Sequence, residues 1–474
     1  MELLEELNSV QREAVLHDAG PALVLAGAGS GKTRVLTRRL AHLIADRGVS
    51  PFSVLAITFT NKAAREMKER CEALIGQGVR HMWIGTFHAA CLRILRSNVS
   101  RVGYRPGFVI YDSGEQRAVV REAMKKLNIS EKKLDPRAVL NAISRAKNRL
   151  RGPSDLESDS YPYRREVTEI YRQYQQLLQG YNAMDFDDLL ARTVALLRDD
   201  PEVLSHYQEK FEHVLVDEYQ DTNNVQYRLV KLLSGKHRNL FAVGDSDQSI
   251  YGWRGADINN ILNFEADFPE AKIYRMEENY RSTRLILRAA QRMIQCNERR
   301  QEKDLWTRRT GGDPICLYRA SSGEEEALFV VSYIEQLVRE GHHRWADFGV
   351  LYRVHAQSRL LEETCIRRGV PYRMFGGQRF YDRSEVRDAI AMLRLLVNGE
   401  DWVSLRRVIN RPRRGVGPAT VEKLESFAAE RGHDIYRTLD LVDEIPGLRG
   451  AQKRGVEDFA RILGRVREEM HNCE

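Results

Sequence analysis

The chain has 474 residues, 42% hydrophobic and 30% charged, enough for about three domains at roughly 150 residues each and too apolar for an intrinsically disordered chain. Its 74 basic and 67 acidic side chains are interspersed and leave a formal charge of +7, which permits a polyanionic partner without requiring one. The six cysteines (Cys71, Cys91, Cys296, Cys316, Cys365, Cys473) form no C-x-x-C pair, which argues against a zinc or redox centre and suits a reducing cytosol.

The first segment, "MELLEELNSVQREAV", is acidic and amphipathic rather than basic and then apolar, and no run of about 18 apolar residues occurs anywhere, so neither a signal peptide nor a membrane span is expected. The apolar run "PALVL" at 21–25 predicts a buried strand, and "AGAGSGKT" at 26–33 follows it. This stretch matches the phosphate-loop pattern G-x-x-x-x-G-K-[ST], with Ala26 where the first glycine usually stands. Gly29 and Gly31 let backbone N–H groups approach phosphate oxygens, Lys32 brings a cation to the β- and γ-phosphates, and Thr33 offers a hydroxyl to Mg²⁺. Leu36, Leu40, Leu43 and Ile44 then repeat at helical spacing, which predicts the helix whose N-terminus faces the phosphates.

Two more β-type runs, "SVLAITFTN" (53–61) and "HMWIGTFH" (81–88), end in polar motifs and lead into helical patterns. From 111 to 185 the pattern becomes long, charged and helical, which predicts an insertion. The strands resume with "HVLVDEYQD" (213–221) and "NLFAVGDSDQ" (239–248). Continuous apolar strands alternating with helices predict a parallel sheet covered on both faces, with its site at the carboxyl ends of the strands. Asp217 ends one of these strands and can hold the Mg²⁺ water shell, while Glu218 can orient and deprotonate an attacking water. Asp221 is expected to be structural. "SIYGWRG" at 249–255 then supplies Tyr251, Trp253 and Arg254, flat faces on which bases of any identity can stack. A second α/β unit is expected from "KIYRMEENYRS" through "DFGVLYRVHAQS" (347–358), and a helical, basic region from about Phe380 onward.

The ordered series "LNSVQ" (7–11), "AGAGSGKTR" (26–34), "TFTNKAA" (58–64), "GTFHA" (85–89), "DFDDLL" (185–190), "VDEYQDTN" (216–223), "VGDSDQSIYGWRGA" (243–256), "ENYRST" (278–283) and "LYRVHAQSR" (351–359) resembles the motifs of UvrD/Rep/PcrA-type DNA helicases of superfamily 1. The resemblance implies an α/β fold of two RecA-like parallel-sheet domains with helical insertions, the second domain incomplete. The ranges it implies are 1–110 with 186–275 for the first domain, 111–185 for its insertion, 276–379 for the second domain and 380–474 for the second insertion. It implies that Gln11 reads adenine and that Ala26, Gly27, Ala28, Gly29, Ser30, Gly31, Lys32, Thr33 and Arg34 cradle ATP. It further implies that Gln248 senses the γ-phosphate, Tyr280 stacks on the base, and Arg281 neutralises transition-state charge beside Lys32, Asp217 and Glu218.

Phe59, Asn61, Thr86, His88 and Phe186 fall in motifs that line the family's single-stranded DNA groove, although each is also compatible with core packing, and for Phe87 and Phe186 the two alternatives are balanced. "NRPRRGVGPATVEKL" (410–424) matches a duplex-contacting element or is a solvated basic loop.

The implied activity is ATP- and Mg²⁺-dependent 3′-to-5′ translocation on single-stranded DNA, with unwinding at single/double-strand junctions, in repair or replication in the cytoplasm. Two motifs that the family carries beyond its second insertion do not occur, and Val354–His355 replaces a polar pair. A truncated helicase that binds ATP and DNA but hydrolyses poorly is therefore expected. The alternative is a DNA-binding nucleotide switch, an accessory protein without motor activity.

Overall fold

The computed structural model describes residues 2–156, 163–297, 303–375 and 383–472. The expected boundary at 379/380 and Cys473 lie outside the described residues. The chain divides into two compact units, one formed by Met1–Gly312 with Met392–Glu474 and the other by Asp313–Ala391.

The first unit is built on a six-stranded sheet, supplied by β1 (Ala22–Ala26), β2 (Val54–Thr58), β3 (Trp83–Thr86), β6 (His213–Val216), β7 (Leu240–Gly244) and β8 (Lys272–Met276) in the order β3-β2-β6-β7-β1-β8. Every pairing is parallel. All residues of β1, β2 and β7 are buried, as continuous apolar strands covered on both faces must be. Successive side chains of β1 enter opposite cores. Leu23 and Leu25 join Phe87, Leu189 and Leu229 on one side, while Val24 and Ala26 join Leu36, Leu40 and Met67 on the other.

Helices α1 (Ser9–Val15), α2 (Lys32–Ala45) and α3 (Asn61–Ile75) cover the second of these faces; α4 (Phe87–Ser97), α8 (Phe186–Asp199), α9 (Pro201–Lys210) and α10 (Asn224–Leu233) cover the first. Between α4 and α8 runs the insertion, whose helices α5 (Ser113–Lys126), α6 (Pro136–Lys147) and α7 (Arg164–Gly180) enclose a third core containing Tyr111, Val119, Ile143 and Tyr174. Two short parallel strands, β4 (Val109–Tyr111) and β5 (Ala183–Asp185), close its neck. Past β7 come the short helices α11 (Asn259–Leu262) and α12 (Phe264–Asp267), and past β8 comes α13 (Arg284–Ile294).

In the smaller unit α14 (Gly323–Arg339) and α15 (Ser358–Arg368) carry the structure. α16 (Ser384–Val397) leads back to the first unit, where α17 (Trp402–Val408), α18 (Pro418–Arg431), α19 (Ile435–Asp440) and α20 (Gly450–His471) follow. This helical region rests on the insertion: Tyr111 donates to Asp401 at 2.5 Å, Arg406 to Glu122 at 2.6 Å, and Asn398 to the Tyr181 carbonyl at 2.9 Å.

β8 joins the first sheet beside β1, in keeping with the range 186–275 given to the first domain, so the second α/β unit does not open at "KIYRM"; the described residues of Asp313–Ala391 contain no strand. In "FGVLYRV" the backbone is extended at Phe348 (φ −105°, ψ 142°) and Val354 (φ −136°, ψ 146°), but a β-type run becomes a strand only where a neighbouring ladder satisfies its N–H and C=O groups. No helix among the described residues is long and apolar enough to cross a membrane.

Candidate active site

The phosphate loop joins β1 to α2. Ala26 is the last residue of the strand and therefore extended, so its methyl group is carried without strain where the motif usually has glycine. Gly29 (φ 69°) and Gly31 (φ 91°) do occupy the left-handed region. Ser30 tightens the turn by donating its hydroxyl to the Gly27 carbonyl at 2.8 Å. Gly31 begins α2 with no side-chain cap, which leaves first-turn N–H groups directed at an incoming anion.

Two segments brace this loop. Asn8 and Gln11 form a capping box at the start of α1, and Gln11 then donates to the Ser30 carbonyl at 2.8 Å. From the far side, "ENYRS" crosses the loop: Asn279 donates to the Ala28 carbonyl at 2.6 Å, and the Tyr280 N–H donates to the Gly29 carbonyl at 2.9 Å. A Cβ on Gly29 would stand 2.6 Å from Asn279 Nδ2 and 2.8 Å from Arg281 Cβ, so only glycine lets this crossing close. The Tyr280 hydroxyl donates to Glu278 at 2.7 Å and accepts from Asn8 at 2.8 Å, which joins the Gln11 segment to the Arg281 segment. Arg281 and Arg34 are exposed, the latter with a weak donation to the Glu6 carbonyl at 3.4 Å. Thr33 follows Lys32 in the first turn of α2.

β6 delivers the acids. Asp217 is held by its N–H, which donates to Ile57 on β2 at 2.9 Å, and the residue is 7% exposed. Burial, and then the charge of Glu218, push its carboxyl up to about 6. Glu218 adopts a left-handed conformation (φ 50°, ψ 46°), a strained backbone of the kind retained at functional sites, and its carboxylate meets Lys32 Nζ at 3.4 Å. A line of amides leads onward: Gln220 donates to Glu218 at 2.8 Å and accepts from the Asp245 N–H at 2.9 Å, while Gln248 donates to the Asp245 carboxylate at 2.6 Å. Asp221, also pushed up to about 6 by burial and then by Glu218, keeps one buried carboxyl oxygen without a partner.

Asp217 has a measurable consequence for stability. Its folded-state value of about 6 exceeds the ordinary 3.8, so the folded chain holds a proton there that the unfolded chain has already released. The associated stability is full below about pH 4 and is lost as the pH rises through about 6. Asp217→Asn is therefore expected to stabilise the protein by about 2–3 kcal/mol at pH 7 and by almost nothing at pH 4. Denaturation midpoints across that range check this; a variant less stable than the parent at pH 7 contradicts it.

The aromatic residues form a second group. Phe59 stacks on Tyr251 with ring centroids 4.7 Å apart, and Tyr251 in turn lies 6.3 Å from Trp253. The Arg254 guanidinium covers Trp253 at 4.6 Å, yet Trp253 remains 75% exposed, unusual for so large an apolar side chain. Phe186 is 49% exposed and meets His88 edge-on at 5.9 Å, whereas Phe87 is buried in the core. Burial lowers the His88 pKa, so the ring is neutral near pH 7. Asn61 is exposed at the start of α3, and Thr86 spends its hydroxyl capping α4 at Ala89.

Three further side chains take part that the sequence analysis assigns no role. Lys303 is buried, pairs with the Asp245 carboxylate and lies 3.3 Å from Asp247; Gln220 relays between Glu218 and Asp245; Asn279 clasps the loop. For Gln220 and Asn279 the signal was adjacency to recognised motif residues, while for Lys303 there was none. Among the described residues no group of three or more His, Cys, Asp or Glu gathers around a metal position. The Asp217 carboxyl, buried beside the charge of Glu218, and the Thr33 hydroxyl in the first turn of α2 are the groups here that could hold a cation.

A family model described as "UvrD/REP helicase N-terminal domain" matches residues 7–269, and one described as "UvrD-like helicase C-terminal domain" matches 274–445. An ATP-dependent DNA helicase PcrA from Staphylococcus aureus is 49% identical over 444 residues, covering 94% of this chain and 61% of that protein. A second, from Staphylococcus epidermidis, is 46% identical over 468 residues, covering 98% of this chain and 64% of that protein. The chain thus spans about three fifths of the length of these relatives.

Proposed function

Because the chain belongs to the UvrD/REP helicase family, we propose that it is an ATP-driven motor that travels 3′ to 5′ along single-stranded DNA and parts the strands at single/double-strand junctions. The supporting observation is the hydrogen-bonded line from Lys32 and Glu218 through Gln220 and Asp245 to Gln248, which stops three residues short of the aromatic pair of half-buried Tyr251 and exposed Trp253.

In this reading Gln11 and Tyr280 hold the adenine, and the N–H groups of the phosphate loop hold the phosphates with Arg34 at the rim. Lys32, now paired with Glu218, turns to the γ-phosphate and frees the Glu218 carboxylate to take a proton from the attacking water as its oxygen bonds to the γ-phosphorus and the bond from there to the β-phosphate oxygen breaks, which releases ADP and inorganic phosphate. Thr33 and Asp217 would hold Mg²⁺, which would supply charge neutralisation at the phosphates. Arg281 meets the charge that develops on the transferred group. Loss of the γ-phosphate is felt by Gln248, whose anchor Asp245 begins the loop that carries Tyr251, Trp253 and Arg254.

The strand lies on Phe59, Tyr251 and Trp253, with Asn61, Thr86, His88 and Phe186 along the same path, and moves as these faces release and regrip the bases. The corresponding domain reading is 1–110 with 186–275, 111–185, 276–379 and 380–474. Repair or replication in the cytoplasm is the proposed setting.

Hydrolysis measured with and without single-stranded oligonucleotide tests the proposal. Strong stimulation supports the motor; tight oligonucleotide binding with unchanged hydrolysis supports a nucleotide switch. Trp253→Ala is expected to weaken oligonucleotide binding by roughly 5- to 150-fold, the equivalent of about 1–3 kcal/mol of stacking. Fluorescence anisotropy reads this, and an unchanged affinity rules out Trp253 as a stacking face.

A further inference from the structure

Asn148 lies outside every motif discussed above, yet it is the point at which three parts of the first unit meet. It caps the carboxyl end of α6, with its side-chain amide donating to the Ser144 carbonyl at 2.9 Å. The same amide donates to the Asp187 carboxylate on α8 at 3.0 Å, next to the exposed Phe186. Its carbonyl oxygen accepts from Asn223 Nδ2 at 2.6 Å.

Asn223 belongs to the segment that carries the acids. It caps α10 through a reciprocal box with Gln226, and it forms an isolated antiparallel bridge with Ala256, at the end of the turn that presents Tyr251, Trp253 and Arg254. The neighbouring Thr222 carbonyl accepts from the Asp257 N–H at 3.0 Å, so the turn is tied to this segment twice. Gly255 approaches so closely that a Cβ on it would touch Asn148 Cβ at 3.9 Å. One side chain therefore contacts the insertion, the α8 start that carries Phe186, and the segment running from Glu218 to Asn223.

We propose that Asn148 is a positioning residue that transmits the state of the nucleotide site to the nucleic-acid track. Its amide is directional: one end accepts from the acid-bearing segment while the other donates to α8, so a shift of Asn223 moves Asp187 and Phe186 with it. This inference rests on the motor reading, in which nucleotide and strand bind to connected sites. Replacing the amide by a carboxylate keeps the acceptor for Asn223 but sets two like charges together at Asp187. The exchange Asn148→Asp with Asp187→Asn restores a donor on α8 facing an acceptor at 148.

The test is the ratio of dissociation constants of a fluorescent single-stranded oligonucleotide with and without a non-hydrolysable ATP analogue, measured on the whole chain. Coupling between sites is reciprocal and commonly amounts to about tenfold. The parent should show a ratio of that order, Asn148→Asp should reduce it to within about twofold of unity, and the double exchange should recover most of it. Affinity for the analogue alone should stay within about threefold throughout, which a general loss of structure would not allow. A ratio unchanged by Asn148→Asp, or a loss that the double exchange does not repair, overturns the assignment. A parent that binds both ligands with a ratio of one, or fails to bind one of them, refutes the motor reading instead.

Discussion

Glu218→Gln is expected to slow ATP hydrolysis by about 10³-fold while leaving ATP affinity within a few-fold of the parent, because what it removes is a proton acceptor and not a contact. The glutamine keeps the length of the side chain and one carbonyl oxygen, so it can still accept from Gln220, 2.8 Å away in the parent, and from Lys32 at 3.4 Å. The left-handed backbone at 218 that aims this side chain is unchanged. Asp221 is the rival base: its carboxyl is pushed up to about 6 by burial and by Glu218, a value suited to accepting a proton near neutrality. Single-turnover hydrolysis of both variants separates the two. If Glu218→Gln stays within about tenfold of the parent and Asp221→Asn does not, the proton goes to Asp221 and the assignment of Glu218 is wrong.

Features held by near neighbours in the chain were legible in the sequence. The buried strand Ala22–Ala26, the glycine turn after it and the helix beginning at Lys32 lie within one short stretch, and each has its own local signature: a continuous apolar run, glycines at left-handed positions, and helical spacing from Leu36 onward. The acids after β6 and the aromatic turn after β7 are likewise strand endings.

Features that depend on distant pairing were not legible. Lys303 meets Asp245 from 58 residues away, and β4 and β5, three residues each, are too short to display a period. Phe87 and Phe186 were equivalent as sequence, since both open a helix after a strand; only the packed structure shows Phe87 pointing into the sheet core and Phe186 leaving it. The run at 348–354 shows the opposite failure, in which β-type residues predicted a strand that forms no ladder.

The largest stability effect is expected at Lys147, a side chain that sequence alone would place on the outside of a helix. It is 3% exposed, and its ammonium group donates to Asp185 at 2.6 Å and lies 2.9 Å from Asp188, with the Tyr174 ring below it at 5.1 Å. Burial alone would lower its pKa, but the two carboxylates more than reverse that, so Lys147 stays charged throughout the accessible pH range. Lys147→Met keeps most of the volume and strands two carboxylates in the interior, at a cost of about 3–5 kcal/mol.

The pH dependence follows from Asp185, already pushed up to about 6 by burial and Asp188, and destined to rise further once the lysine is gone. A carboxyl raised in the folded state stabilises at low pH and loses that contribution as the pH climbs through its folded value, so the deficit of the variant should be largest near pH 8 and shrink towards about pH 5. Hydrogen exchange of α6, α7 and α8 in the two proteins measures it. A deficit below about 1 kcal/mol at pH 8, or one that ignores pH, would mean that water reaches these carboxylates.

Adding Asp185→Asn and Asp188→Asn to Lys147→Met should recover most of the loss, since removing a buried ionic group entirely costs far less than unbalancing it. An asparagine side chain at position 185 can still cap α8 as Asp185 does, by accepting from the backbone N–H of residue 188, 2.7 Å away in the parent. If that recovered protein binds oligonucleotide more weakly than the parent, the buried charges serve to aim Phe186 at the start of α8, and stability is only their by-product.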